Sequence, residues 1–249
     1  MHNPNEVVGR LSKTFGKFMG GYNYKRFIVL SHARTGSNML IDMLNSHPHI
    51  YAEREIFREL NGRETTQILD KIYGPYTPNI CCVGFKIFYY HPMDDVSKVI
   101  WDILAKMDNL YIIHLKRENI IRILVSLKIA ELTDIWRLHE KREAISINKK
   151  KIRFDIDDLN SKFTEISNYE EGFTKKFEQH PMISVTYENL VTQPQAEFVK
   201  ILNLLKLDNY KPKTRSVRQN PEKLSELIEN YSELEAYFKE TRWSNFFTG

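Results

Sequence analysis

The stretch that most limits what this chain can become runs from Arg26 to Leu40, Arg-Phe-Ile-Val-Leu-Ser-His-Ala-Arg-Thr-Gly-Ser-Asn-Met-Leu. Phe27 to Leu30 is a short apolar run, the pattern of a buried strand. Met39, Leu40, Met43 and Leu44 recur at helical spacing, which predicts a helix over about Ser37 to Asn45. Between strand and helix lies a loop of small and polar residues carrying Arg34 and Gly36. A loop that leads into a helix N-terminus points backbone N–H groups and the positive end of the helix dipole at an anion. Thr35 and Ser37 add hydroxyl donors, and Arg34 adds a fixed charge. The stretch reads as a phosphate or sulfate site.

Further apolar runs at Ile80–Phe88, Leu110–Leu115 and Met182–Tyr187 read as strands. Helical periodicity falls at about Glu64–Ile72, Met93–Met107, Asn119–Leu132, Asp155–Phe177 and Pro194–Leu205. Strands alternating with helices predict an α/β fold, a three-layer sandwich on a short parallel sheet of four or five strands. Residues 1–24 form a leader with an amphipathic stretch from Val7 to Phe18, and residues 25–249 form one domain with no repeat or linker to split it. The tail from Lys211 is charged and carries Leu224, Leu227, Ile228, Tyr231 and Leu234 at helical spacing.

Composition narrows the partners. A net charge of +4 with Lys and Arg scattered along the chain does not demand nucleic acid, yet suits an anionic ligand. The two cysteines, Cys81 and Cys82, are adjacent and sit in an apolar run, so they read as free buried thiols in a reducing cytosol. No Cys or His cluster has metal-ligand spacing. No apolar run approaches the roughly 18 residues of a membrane span, so the chain reads as soluble and cytoplasmic. A homodimer is compatible with the sequence, which leaves the oligomeric state open.

Set against the phosphate loop of nucleoside triphosphatases, Ser31–Asn38 lacks the first Gly, and Ser37 stands where that motif has Lys. The strand Leu110–Leu115 runs into Lys116-Arg117 rather than into a carboxylate that could hold Mg²⁺. The P-loop-like turn therefore suits an anion neutralised by protein cations. Arg117 falls at a strand's C-terminal end, where open α/β sheets bind ligands, and Ser126 follows nine residues later, two turns into the next helix. A guanidinium and a hydroxyl there can clamp a second phosphate.

The loop Ser31–Leu40, the Arg117…Ser126 pair and Val185-Thr186-Tyr187-Glu188-Asn189-Leu190 occur in the order seen in sulfotransferases that use 3′-phosphoadenosine 5′-phosphosulfate (PAPS). From about residue 25 onward the chain resembles the bacterial branch of that family that sulfates carbohydrates and glycolipids, which includes the trehalose and nodulation-factor sulfotransferases. The resemblance implies that Arg34, Thr35, Gly36, Ser37 and Asn38 bind the 5′-phosphosulfate, with Arg34 where many members have Lys and placed to steady the charge on the leaving phosphate. It implies that Arg117 and Ser126 hold the 3′-phosphate, Tyr187 lies near the adenine, and Arg218, in Arg218-Gln219, closes over the 3′-phosphate end. It further implies in-line sulfuryl transfer without a metal to a hydroxyl acceptor, a sugar or glycolipid.

Such transfer needs a base for the acceptor proton and donors for the charge that builds on the bridging oxygen. The carbohydrate branch carries a Glu after the first helix in a Gly-Glu-aliphatic-Phe pattern. Arg54-Glu55-Ile56-Phe57 matches it with Arg54 in place of Gly, which makes Glu55 the candidate base and Glu53 its reserve. His91, after Gly84-Phe85-Lys86-Ile87-Phe88-Tyr89-Tyr90, is the rival, at a place where another branch carries a His base. Lys86 either faces the acceptor side of the cleft or snorkels from its strand. The acceptor pocket is expected from Tyr51–Leu60, the loop after His91, the basic passage 140–153 and Trp136. His32 and His47 read as hydrogen-bonded structural residues. Two other classes stay open: a kinase-like phosphoryl transferase, and a nucleotide-binding module without catalysis.

Overall fold

Strand β1 (Lys25–Ser31) takes the centre of a five-stranded sheet in the computed structural model, which describes residues 20–135, 151–214, 216 and 220–248. After β1 come helix α1 (Ser37–Leu44), β2 (Ile50–Glu53), α2 (Thr65–Ile72), β3 (Cys82–Phe88), α3 (Ile100–Ala105) and β4 (Leu110–Lys116). Then follow α4 (Ile120–Thr133), α5 (Ile156–Lys176), β5 (Met182–Thr186), α6 (Tyr187–Thr192), α7 (Pro194–Leu205), α8 (Leu224–Leu227), α9 (Tyr231–Phe238) and a 3₁₀ turn at Ser244–Phe247. The strand order is β2-β3-β1-β4-β5, and every neighbouring pair is parallel. The chain leaves β1 to one side for β2 and β3, then passes back for β4 and β5. Such a reversal opens a crevice at the C-terminal end of the central strand, the usual ligand site of this architecture.

Alternation along β1 builds two layers. Phe27 and Val29 meet Leu40, Ile41 and Leu44 of α1 and Phe198, Ile201 and Leu202 of α7. Ile28 and Leu30 face the other way, onto Ile68 and Leu69 of α2, Trp101 and Leu104 of α3, and Phe177. All four β1 side chains are fully buried, each worth about 1.5–3 kcal/mol of burial. Gly84 of β3 is required by the closeness of β1: a Cβ there would lie 2.3 Å from the Phe27 carbonyl oxygen. A third cluster joins α4, α5, α8 and α9 through Ile121, Leu159, Phe163, Leu227 and Phe238.

Two elements differ from expectation. The helix expected over Met93–Met107 shrinks to Ile100–Ala105. Ahead of it Asp94 accepts the N–H groups of Leu60 and Asn61, and Asp95 accepts the Ser97 N–H and hydroxyl, so these side chains hold loop geometry instead. Val96 and Val99, read as part of an apolar face, are exposed. Strand β2 was not expected; it is a four-residue edge strand paired only with β3. Among the described residues no helix is long and apolar enough to cross a membrane.

Candidate active site

The β1–α1 loop carries two residues in the left-handed region, Arg34 (φ 65°) and Gly36 (φ 83°). Gly36 is doubly constrained, because a Cβ there would also lie 2.5 Å from Cδ2 of Tyr187. The Thr35 hydroxyl, fully buried, donates to the His32 carbonyl at 2.8 Å and closes the turn. Gly36 is the N-cap of α1 and provides no side-chain acceptor, so the first-turn N–H groups stay directed into the crevice.

Three further elements converge on this loop. Asn119 caps α4 by accepting the Arg122 N–H at 3.2 Å, and the buried Ser126 then falls two turns in, as its spacing requires. Thr186 caps α6 by accepting the Asn189 N–H at 3.3 Å, which delivers Tyr187 at the end of β5. Arg117, just past β4, donates from Nη1 to the Arg34 carbonyl at 3.0 Å and lies 4.4 Å above the Tyr187 ring. Its Nε is 4.0 Å from the Glu188 carboxylate. Arg34 donates from Nε to the Ser126 hydroxyl at 2.9 Å, and Asn220 donates to the same oxygen at 3.4 Å. Arg34, Gly36, Arg117, Ser126 and Tyr187, drawn from three distant parts of the sequence, therefore form one cluster. The side chain of Arg34 points toward the Arg117…Ser126 end of it.

A second cluster stands at the start of α1. Lys86 leaves β3 from the position paired with Val29 and is almost wholly buried. Its Nζ lies 2.7 Å from Glu55 Oε1, 2.7 Å from Asn38 Oδ1 and 3.4 Å from Ser37 Oγ. Three oxygens around one buried ammonium offset its desolvation. Burial alone would raise the Glu55 carboxyl, but the charge and hydrogen bond of Lys86, with His91 and Arg58, outweigh it and hold Glu55 below the ordinary carboxylate value. His91 behaves in the opposite sense. Burial, chiefly, pushes it down to about 4, against the pull of Glu55. His91 Nδ1 accepts the Phe88 N–H at 3.3 Å, which places the proton of the neutral ring on Nε2.

Glu53 and Arg54, the two residues before the expected base, are engaged elsewhere. Arg54 donates to Asn38 Oδ1 at 3.2 Å and pairs with Asp42 at 3.0 Å, so it braces the first two turns of α1. Glu53 accepts a hydrogen bond from the Tyr51 hydroxyl. Of the expected site residues, Arg218 lies outside the described residues, as do the leader to residue 19, Trp136 and positions 140–150 of the basic passage. The sequence reading gave Lys86 no settled role. Its signal was a charge within an otherwise apolar run, which at the C-terminal half of an inner strand points toward the crevice. Among the described residues no group of three or more His, Cys, Asp or Glu side chains could hold a metal ion.

A parallel sheet whose central strand ends in an anion-directed loop, flanked by arginines and by a lysine–glutamate pair, defines a group-transfer enzyme handling an anionic ligand. The chain belongs to the Stf0 sulphotransferase family, whose profile matches residues 86–233, more than half its length, and it is a sulfotransferase. That span begins at Lys86 and takes in His91, Arg117, Ser126 and Tyr187. Nodulation protein H of Rhizobium tropici is 24% identical over 241 residues, covering 89% of this chain and 92% of that protein. The crystal structure of a sulfotransferase from Alicyclobacillus acidocaldarius shares the fold, with a TM-score of 0.53 at 14% identity over 85% of this chain and 90% of that one.

Proposed function

We propose that the enzyme transfers a sulfuryl group from PAPS to a hydroxyl of a carbohydrate or glycolipid, with Glu55 as general base. The observation that carries this reading is the position of Lys86, whose ammonium touches both the start of α1, at Ser37 and Asn38, and the Glu55 carboxylate. A cation for the leaving oxygen and a base for the attacking one are thus held about one ammonium apart. The two cation clusters fit a donor with phosphates at both ends of a nucleoside. Lys86, Ser37 and the α1 N–H groups suit the 5′-phosphosulfate; Arg34, expected at that end, instead turns to Ser126, so that Arg34, Arg117 and Ser126 suit the 3′-phosphate. Tyr187, under the Arg117 guanidinium, offers an aromatic wall for the base.

In this reading the acceptor oxygen forms its bond to sulfur as the bond from sulfur to the phosphate oxygen breaks in line. Glu55 takes the acceptor proton, while Lys86 and the loop N–H groups hold the charge left on the phosphate. His91 is less suited to the base role, since its Nδ1 lone pair already accepts a backbone N–H and burial opposes its protonation. Nodulation protein H, by its name and relationship, favours a sugar-like acceptor. Two free cysteines suit a reducing, cytoplasmic setting.

The test combines labelled-sulfate transfer with calorimetry of 3′-phosphoadenosine 5′-phosphate (PAP). Arg34→Ala and Arg117→Ala should each weaken PAP at least about tenfold and abolish transfer. Glu55→Gln should slow turnover about 10²-fold or more with PAP affinity nearly unchanged. Wild-type turnover in both arginine variants would sink the donor assignment. Normal turnover in Glu55→Gln with a large loss in His91→Ala would move the base to His91.

A further inference from the structure

Helix α1 carries a polar stripe beside its apolar face. Asn38, Asp42 and Asn45 follow one another at four- and three-residue spacing, so they stand in one row along the helix and its C-cap. Each of them holds the segment that leads into Glu55. The fully buried Asn45 side chain donates to the Ala52 carbonyl at 2.8 Å and accepts the Ala52 N–H at 2.8 Å, so it pairs with β2 as a neighbouring strand would. Asp42 pairs with Arg54 Nη2 at 3.0 Å, and Asn38 Oδ1 accepts from Arg54 Nη1 at 3.2 Å. The Asp42 carboxylate is fixed from its other side too, where Oδ2 accepts the Ser216 hydroxyl at 3.0 Å.

The direction of Arg54 follows from the strand. Ile50 and Ala52 of β2 pack with the apolar face of α1, and Arg54 continues this alternate row just past the strand's end. The chain then turns. The Arg54 carbonyl accepts the Ile56 N–H at 2.9 Å, and Glu55 stands at the bend between them. From there Glu55 Oε1 reaches Lys86 Nζ at 2.7 Å, and Lys86 reaches Asn38 Oδ1 at 2.7 Å. Asn38 Oδ1 thus takes one donor from Arg54 and one from Lys86, which matches the two lone pairs of an amide oxygen. Arg54, Asn38, Lys86 and Glu55 form a ring of direct contacts, closed by the peptide bond between Arg54 and Glu55.

We propose that Arg54 is a positioning residue for the reaction: it clamps the bend that presents Glu55 to the first two turns of α1, and so sets the base against the donor loop. The guanidinium fork spans two oxygens one helical turn apart, which fixes its orientation as well as its place. A glycine, which the pattern matched by this segment has here, could make neither bond, so the clamp belongs to this chain. The assignment rests on the reading of Glu55 as base.

The test compares kcat for labelled-sulfate transfer to trehalose or chitotetraose, PAP affinity, and hydrogen exchange over residues 54–60 in the wild-type chain, Arg54→Ala, Glu55→Gln and the double variant. Arg54→Ala should lower kcat about tenfold or more, leave PAP affinity within about threefold of the wild type, and speed exchange at the bend. In the Glu55→Gln background the same change should cost no more than about twofold in kcat, because there is no base left to position. Thermal melting and the number of PAP sites per chain check folding. Should Arg54→Ala melt out, Arg54→Lys, which keeps the charge and loses the fork, carries the same comparison. Unchanged kcat in Arg54→Ala, or an equal proportional loss in both backgrounds, overturns the positioning role. If the wild-type chain sulfates neither sugar, exchange decides: an unchanged bend in Arg54→Ala overturns the clamp. Wild-type turnover in Glu55→Gln would instead bring down the base reading on which the role depends.

Discussion

In the proposed mechanism Lys86 and Glu55 form the pair on which the chemistry turns, and their ion pair makes a measurable claim. A carboxylate held below its ordinary pKa stays ionised through the neutral range, so the acid limb of kcat/KM should fall below the ordinary carboxylate value. Lys86→Met removes the cation while leaving the burial that opposes charge. The limb should then move above that value and turnover should fall, as read from a pH–rate profile. Glu55→Gln should remove the limb altogether; a limb that survives it would assign the titration to another group. Residue identity was partly legible from sequence here. Arg34, Gly36, Arg117, Ser126 and Tyr187 sit in motifs whose spacing survives in the chain, and the structure brings all five together. Lys86 was harder to read, because a lysine in an apolar strand has the same appearance whether it snorkels or is held by three oxygens. Arg54 shows the same limit: only its bonds to Asn38 and Asp42 reveal it as a brace where the family pattern has Gly.

Elements with strong periodicity were read well, and those decided by local polar bonds were not. The central strand, the helix after it and α5 follow directly from apolar spacing. The loop before α3 carries a helical pattern too, but Asp94 and Asp95 bind backbone N–H groups and win over it. Edge strand β2 is too short for its pattern to stand out from the loop around it. Helix α5 packs on two of the three clusters. It is capped by Asp155, which accepts the N–H groups of Asp157 and Asp158, and it carries Lys175 and Lys176 in its last turn, each favourable with the helix dipole. Leu159, Phe163 and Ile166 fix its first half on the cluster shared with α4 and α9, and Tyr169 and Phe173 fix its second half on the sheet layer. Phe163 is fully buried and touches the rings of Phe238, Trp243 and Phe246. Phe163→Ala should cost about 3–5 kcal/mol in urea unfolding.

At the scale of the whole molecule, buried histidines set the response to acid. His91 is lowered to about 4 and His114 to about 3, in both cases mainly by burial, and burial also lowers His32 and His47. In the unfolded chain each titrates near 6.5. Between about pH 6.5 and 4 the unfolded state therefore binds more protons than the native one, and stability falls as the pH falls. Glu170 acts against this. Burial lifts it to about 7, so in the native state it keeps a proton that the unfolded chain releases above about 4.5. Over the shared window it makes stability fall as the pH rises. One carboxyl opposes several imidazoles, so the net slope keeps the sign set by the histidines. Thermal melting followed by circular dichroism should show Tm dropping steadily from pH 6.5 to pH 4.5. Glu170→Gln removes the opposing proton, and the drop over that window should become steeper than in the wild type. A slope that flattens in Glu170→Gln would mean that the carboxyl is already ionised in the native state, and that its surroundings, Lys116 above all, overcome the burial that raises it.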